Sequence, residues 1–423
     1  MNRRMKNEKL NILLMFVVLS FCFVSLDLIA GSSLCSEYYG PYQCMKTNEN
    51  IKVDGELDEE TWGKAKPIKF KGLANGEEPK YDSTAKKTNE KICRIGWTWL
   101  VKDEKMEKLI STAKKLGFNI LISPTGTESN YKYINKLCDV ASDEDIEIYY
   151  RFTTILARKE SKKFCQKYCQ IISEKEVEEF KTWDKANIQW GGEPLNPKDI
   201  YSEDVLCFHH PEVVKHCKNK LKDALIHCPN ISGIAFDFIG YKNYKYCKCP
   251  VSERLFDDYY NKLKKTGNTI SRKRALEQFS LNTLVDFSNE LADYIRKLKP
   301  EIKIATHIYP TFLANPVYGN RLDIDYCCQT AAWFFEPFWD LKKVSEYTVK
   351  ITKNEKQFFR RCTGIPFVGI YMDRPGQNKP AERFQEELKT IRRTGCKNIS
   401  ISPFNIFLKH PKLGNILIEE LNK

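Results

Sequence analysis

Asp237 is the fifth residue of the run Gly233-Ile-Ala-Phe-Asp-Phe-Ile-Gly240. Four residues that favour a buried strand lead into one carboxylate, and the chain then turns polar and aromatic through Tyr241, Asn243, Tyr244 and Tyr246. A continuous apolar run is how a buried parallel strand reads. An acid at its C-terminal end faces the loops, where α/β barrels carry their chemistry. Two further acids sit in similar settings: Glu336 in Trp333-Phe-Phe-Glu-Pro337, and Asp373 in Gly369-Ile-Tyr-Met-Asp-Arg-Pro375. Paired carboxylates suit glycosidic bond cleavage. One protonates the leaving oxygen and the other is nucleophile or water-activating base, about 5–5.5 Å apart for retention and about 6.5–9.5 Å for inversion.

These acids share a rim only if the intervening segments form strands in one ring. Apolar strand-like runs fall at 92–100, 119–123, 147–152, 233–238, 302–308, 324–330, 367–372 and 398–402. Amphipathic helical patterns fall between and after them at 103–116, 130–142, 212–227, 252–265, 272–298, 341–353, 381–393 and 413–421. Strand–helix alternation of this kind predicts a (β/α)8 TIM barrel. No phosphate-cradling glycine loop follows the first strand, which counts against a dinucleotide fold. Gly117 and Gly395 fall just past helix ends, where a left-handed residue costs glycine least. Asp325 is expected to start the sixth strand, at the end of the barrel opposite the rim. The connection from Phe152 to Glu212 is long, as lids and subsite walls are, and holds Trp183, Trp190 and the stretch from Cys207 to His210.

On that rim the barrel places Trp97 and Trp99 from the first strand, Thr125 and Glu128 from the second, Arg151 from the third, and Asp237 and Tyr241 from the fourth. His307 and Tyr309 come from the fifth, Trp333 and Glu336 from the sixth, Tyr371, Asp373 and Arg374 from the seventh, and Asn405 from the eighth. Aromatic faces stack on the apolar faces of sugar rings, and Arg, His and Asn fix hydroxyls. Each has a structural alternative: Asp237 as a cap for the next segment, Asp373 as a partner of Arg374, His307 as a satisfied core group, the tryptophans as barrel core.

The run Phe236-Asp-Phe-Ile-Gly-Tyr241, with Tyr246-Cys-Lys-Cys249 and the helical segment from Ser252 to Tyr260, resembles bacterial barrel proteins of a glycoside-hydrolase-like superfamily. The likeness covers 92–423. It implies a (β/α)8 fold in which the Asp closing the fourth strand is nucleophile or acid. The chain departs from the commonest retaining pattern by lacking an Asn-Glu pair at that strand, which leaves the partner of Asp237 open. Separately, Ile51-Lys-Val-Asp-Gly-Glu-Leu-Asp-Glu-Glu-Thr-Trp62 resembles the opening of a β-sandwich carbohydrate-binding module. A complete sandwich needs about 100 residues, so this stretch reads as a remnant or docking segment.

Arg3, Arg4, Lys6 and Lys9 precede an apolar stretch over 12–26 and small residues at 30–33, the anatomy of a signal peptide, with an uncleaved anchor as the rival. The expected organisation is a leader at 1–33, an extension at 34–91 and the barrel at 92–423, in a protein that is secreted, periplasmic or in the cell envelope. The net charge of +13, from 68 Lys+Arg against 55 Asp+Glu, is spread along the chain. It reads as a solvated surface, or as affinity for an anionic polysaccharide or membrane surface. No nucleic-acid motif appears, and membrane contact is expected only through the N-terminal segment.

Sixteen cysteines in an exported chain predict disulfides, with Cys35–Cys44 and Cys165–Cys169 as local pairs and Cys247 or Cys249 tying down the loop after Asp237. Loss of Cys22 with the leader leaves an odd number. Cys93, Cys138, Cys327 and Cys362 lie inside elements and read as small buried hydrophobes. Cys247 and Cys249 with His209, His210, His216 and Cys217 match no closed-site zinc spacing, so no metal or other cofactor is expected. The leading expectation is an exported glycoside hydrolase acting on a polysaccharide or glycan. Its rivals are a non-catalytic glycan-binding envelope protein and a metal-dependent hydrolase or deacetylase using His307 and Asp237.

Overall fold

The computed structural model describes residues 92–421 apart from 125–129, 154, 158–159, 173–204, 244, 268, 309–317, 335, 337, 355–361 and 373–377. The leader, the module-like segment, Cys35, Cys44, Thr125, Glu128, Trp183, Trp190, Tyr309, Asp373 and Arg374 therefore lie outside the described residues.

Eight parallel strands close on themselves in chain order, β1 to β8. They are β1 (Arg94–Trp97), β2 (Ile120–Ile122), β3 (Glu147–Phe152), β4 (Gly233–Phe236), β5 (Lys303–Ile308), β6 (Tyr326–Ala332), β7 (Thr363–Gly369) and β8 (Ile399–Ser402). Ile95 pairs with Ile120 on one side and Ser400 on the other, which seals the ring. The helices are α1 (Met106–Lys115), α2 (Tyr131–Ser142), α3 (Lys162–Tyr168), α4 (Pro211–His227) and α5 (Pro250–Lys265), then α6 (Arg272–Leu298), α7 (Leu341–Asn354), α8 (Ala381–Arg393), α9 (Ile406–Lys409) and α10 (Pro411–Leu421). None of these helices is long and apolar enough to cross a membrane.

The local chemistry accounts for many of the boundaries. Asn130 and Ser161 accept backbone N–H bonds from Tyr133 and Phe164 as N-caps of α2 and α3. Pro211 and Pro250 open α4 and α5 at the position where a missing N–H costs nothing. Gly117 and Gly395 take φ of 72° and 86° just after α1 and α8. Asp325 lies just before β6, and its Oδ2 accepts from the Ile304 amide and from Arg296.

β7 begins four residues before the sequence predicts. Gly364 and Pro366 read as strand breakers, yet Thr363 to Pro366 pair only with β6, and β8 joins from Phe367 onward. A strand segment paired on one side tolerates a residue with no N–H to donate. Helices α3 and α9 are too short for periodicity to betray them.

Every cysteine among the described residues is a thiol. The expected Cys165–Cys169 disulfide is not formed. The two residues are one helical turn apart, where Cβ atoms lie about 5–6 Å from each other, beyond the about 3.5–4.5 Å that a disulfide spans. Cys93, Cys138, Cys327 and Cys362 are buried, and burial pushes the Cys138 thiol up to about 12.

Candidate active site

Alternate strands of a (β/α)8 barrel send side chains into shared interior layers. Trp97 of β1, Arg151 of β3, His307 of β5 and Phe367 of β7 form one such layer. The Arg151 guanidinium lies 4.9 Å from the centroid of Trp97. The ring of His307 lies 5.6 Å from Trp97 and stacks on Phe367 at 4.0 Å and 17°. Trp97 donates from Nε1 to Ser400 Oγ at 2.9 Å, tying the layer to β8.

Asp237 follows directly on β4, and its carboxylate reaches this layer. Arg151 Nε is 3.3 Å from Oδ2, and His307 Nδ1 is 3.5 Å from Oδ1. The Phe238 amide also donates to Oδ1, at 3.0 Å. Phe238 holds φ at 58°, a left-handed conformation that costs an aromatic residue and that tends to persist where a site fixes it. Burial alone would raise the Asp237 carboxyl, but Arg151, His307 and the Phe238 amide together outweigh it and hold the group below the ordinary carboxylate range. Burial holds the His307 imidazole below its ordinary value, against the pull of Asp237. A neutral ring donating from Nδ1 to the carboxylate meets both demands. Its Nε2 faces Thr330 Oγ1 at 3.2 Å.

The three polar groups are positioned by their neighbours. The Arg151 amide donates to Ser123 Oγ at 2.9 Å, and its Nη1 donates to the Thr98 carbonyl at 3.3 Å. The Asp237 amide donates to the Phe152 carbonyl at 2.9 Å. The result is a fixed, negatively charged carboxylate at the C-terminal ends of three successive strands. Such a group suits a nucleophile or base. In a pair of carboxylates, the protonated member is then the other one.

An aromatic shelf lies after β1 and β7. Trp99 is 39% exposed, and its ring lies 5.1 Å from that of Tyr371. Phe334 joins Tyr371 at 5.3 Å and Phe367 at 5.5 Å, linking shelf and interior layer. Gly369 makes that approach feasible, because a Cβ there would lie 2.3 Å from Phe334 Cγ.

Several sequence-based site expectations need correction. Trp97 and Trp333 are 0% and 1% exposed and are core residues, not open sugar platforms. Tyr241 is also fully buried. Its hydroxyl meets Thr283 Oγ1 at 2.8 Å and donates to the Ser280 carbonyl at 3.2 Å, anchoring the loop after β4 against α6. Asn405 is committed to Trp99: it accepts from the Trp99 amide at 2.7 Å and donates to the Trp99 carbonyl at 2.8 Å. It supports the shelf. Glu336 is exposed in the segment between β6 and α7.

Sequence reasoning did not single out Phe367, Thr330, Ser400 or Phe334. It also missed Lys379, whose amide donates to the Tyr371 carbonyl at 2.8 Å and whose Nζ meets Glu387 Oε2 at 2.7 Å in full burial. Among the described residues, potential metal ligands gather in threes at Cys207, Cys247 and Cys249, and not at Asp237 and His307.

No protein-family model and no curated protein matches this sequence. Solved structures do. The glycoside hydrolase domain of PgaB (BpsB) from Bordetella bronchiseptica aligns with a TM-score of 0.55 and 12% identity, covering 77% of this chain and 98% of that domain. The likeness is one of fold, a closed (β/α)8 barrel. The β-galactosidases of Rahnella sp. R3 and Bacillus circulans sp. alkalophilus align with TM-scores of 0.50 each, at 11% and 12% identity, over 79% and 78% of this chain. The chain spans only 57% and 55% of their lengths.

Proposed function

We propose that this protein is an exported glycoside hydrolase acting on a polysaccharide or glycan. Asp237 serves as the ionised nucleophile or base, and Glu336 or Asp373 as the proton donor. The observation that carries the reading is the Arg151–Asp237–His307 cluster at the ends of β3, β4 and β5. Arg151 and His307 keep the carboxylate charged and oriented, so little reorganisation is needed when positive charge develops on the sugar ring. Trp99 and Tyr371 supply the stacking surface, and Asn405 fixes the tryptophan. The Bordetella neighbour is itself described as a glycoside hydrolase domain, which adds support from the fold.

A second reading is a barrel that binds a glycan without cutting it. The 3% exposure of Asp237 favours it, since an ion-paired buried carboxylate also serves as a structural group. Reducing-end release from a panel of neutral and anionic glycans, by wild type and Asp237→Asn, separates the two. Release by wild type and its loss in the variant supports hydrolysis. Equal release refutes the role of Asp237, and retention of a glycan without release points to the binder. N-terminal sequencing of the mature protein from culture fractions tests export and cleavage within 30–33.

A further inference from the structure

We propose that Cys207, Cys247, Cys249 and His210 form a closed tetrahedral zinc site that staples the long connection after β3 to the loop after Asp237. The three thiols come from segments about forty residues apart in sequence, yet all three sulfurs lie within 4.8 Å of one another and are buried. Cys207 Sγ and Cys249 Sγ are 3.6 Å apart, and His210 Nε2 is 3.6 Å from Cys249 Sγ. Tetrahedral zinc with Zn–S near 2.3 Å and Zn–N near 2.0–2.1 Å sets ligand–ligand distances of about 3.5–3.8 Å. The Cys207–Cys249 and His210–Cys249 separations fall in that range, and closing the set brings His210 toward the other two sulfurs.

The surroundings are those of thiolates. Cys247 Sγ accepts from the Ile171 amide at 3.4 Å and from the Cys249 amide at 3.3 Å. The Ser252 hydroxyl lies 3.1 Å from Cys249 Sγ and 3.3 Å from Cys207 Sγ, and is itself held by His209 Nδ1 at 2.6 Å. Groups of this kind orient ligands and stabilise their charge. Cys249 and His210 are also the N-cap residues of α5 and α4, each followed by proline, so both ligands stand on fixed helix starts. The Cys249 thiolate gains from the positive end of α5.

The alternative fate of these thiols is oxidation. Three thiols form one disulfide and leave a third buried beside it, and 3.6 Å between sulfurs is far from the about 2.05 Å of a bond. Four soft ligands in a closed set favour zinc over magnesium or calcium. All four donors belong to the protein, so the ion has no open position for substrate and its role is structural. Binding releases the remaining thiol protons to solvent. The local spacing hides the site because its ligands come from two loops that only the barrel brings together. The inference stands whether or not the barrel is a hydrolase.

The test uses the full chain, purified under mild reductant with zinc present and then dialysed. Plasma mass spectrometry is expected to find one zinc per chain. Cobalt exchanged into the same protein should give the intense visible bands and near-ultraviolet thiolate charge-transfer of a tetrahedral sulfur-rich site. Cys249→Ser should lose stoichiometric zinc, and His210→Ala should bind it at least about tenfold more weakly. The cobalt spectrum of the wild type is decisive even if a variant does not fold. The proposal is overturned by wild type that holds no stoichiometric zinc and shows no thiolate band. It is equally overturned by a folded Cys249→Ser that retains full zinc, or by a Cys207–Cys249 disulfide mapped in the native protein.

Discussion

Arg151 Nε lies 3.3 Å from Asp237 Oδ2, with side chains only 5% and 4% exposed. Neither charge has water enough to stand alone, so each is the condition for the other. Removing one partner of a buried pair strands the second and costs about 3–5 kcal/mol. Arg151→Met should therefore shift the urea midpoint strongly downward. Adding Asp237→Asn to it should restore most of the loss, because no unpaired charge then remains. A double variant no more stable than Arg151→Met alone would show that the pairing is not what Arg151 contributes.

Acidification acts through the same cluster. The folded His307 binds its proton only below the ordinary range, while the unfolded chain takes one up as pH falls through about 6.5. The unfolded state then holds more protons, so stability falls with falling pH, at a rate of up to about 1.4 kcal/mol per pH unit for one histidine. Asp237 extends it lower: its contribution is present above about pH 4 and is lost as pH falls through its depressed folded value. Denaturant midpoints measured from pH 7.5 to 5 should fall in wild type and fall less in His307→Gln. An unchanged slope in that variant would place the proton uptake elsewhere.

The two tryptophans of the first βα segment should behave oppositely. Trp97 is enclosed by Arg151, His307, Phe367 and Ser400, and Trp97→Ala is expected to cost about 3–5 kcal/mol. Trp99 is held by its backbone to Asn405 and leaves much of its ring in solvent. Trp99→Ala should leave the urea midpoint within about 1 kcal/mol of wild type and raise the glycan concentration needed for half-maximal binding. Urea denaturation checks the first half, and isothermal titration with the glycan found in the release panel checks the second.

The barrel was legible because its determinants are local. Runs such as Ile120–Ile122 and Gly233–Phe236 are apolar without interruption, and the helix over Arg272–Leu298 carries its cap and its period in sequence. Asp237, Arg151 and His307 were legible as strand-end residues, since the ring brings strand ends together wherever they fall. What the sequence hid is direction and depth. Tyr241 follows Asp237 by four residues and looks like a neighbour, yet it turns under α6 to Thr283. Trp97 and Trp99 differ by two positions, and only the first enters the barrel. Lys379 reads as a surface lysine, and nothing nearby in sequence announces that Glu387, two helical turns on, is buried with it. Cys207 and Cys249 are likewise separated by the whole of α4 and β4, and only tertiary structure brings them together.

The identity of the proton donor can be decided by leaving-group dependence. In the proposed hydrolysis, with the Asp237 carboxyl held below its ordinary range by Arg151 and His307, protonation of the glycosidic oxygen would fall to a second acid, Glu336 or Asp373. A proton donor contributes about 10²–10⁴-fold on a poor leaving group and far less on one that departs unaided. The acid's variant, Glu336→Gln or Asp373→Asn, should therefore lose that factor on the natural glycan while keeping most of its rate on a nitrophenyl glycoside of the same sugar. Asp237→Asn should lose activity on both, because the nucleophile or base is needed whatever leaves. If neither acid variant shows a gap between the two substrates, proton donation by this pair is ruled out and the hydrolytic scheme fails at that step.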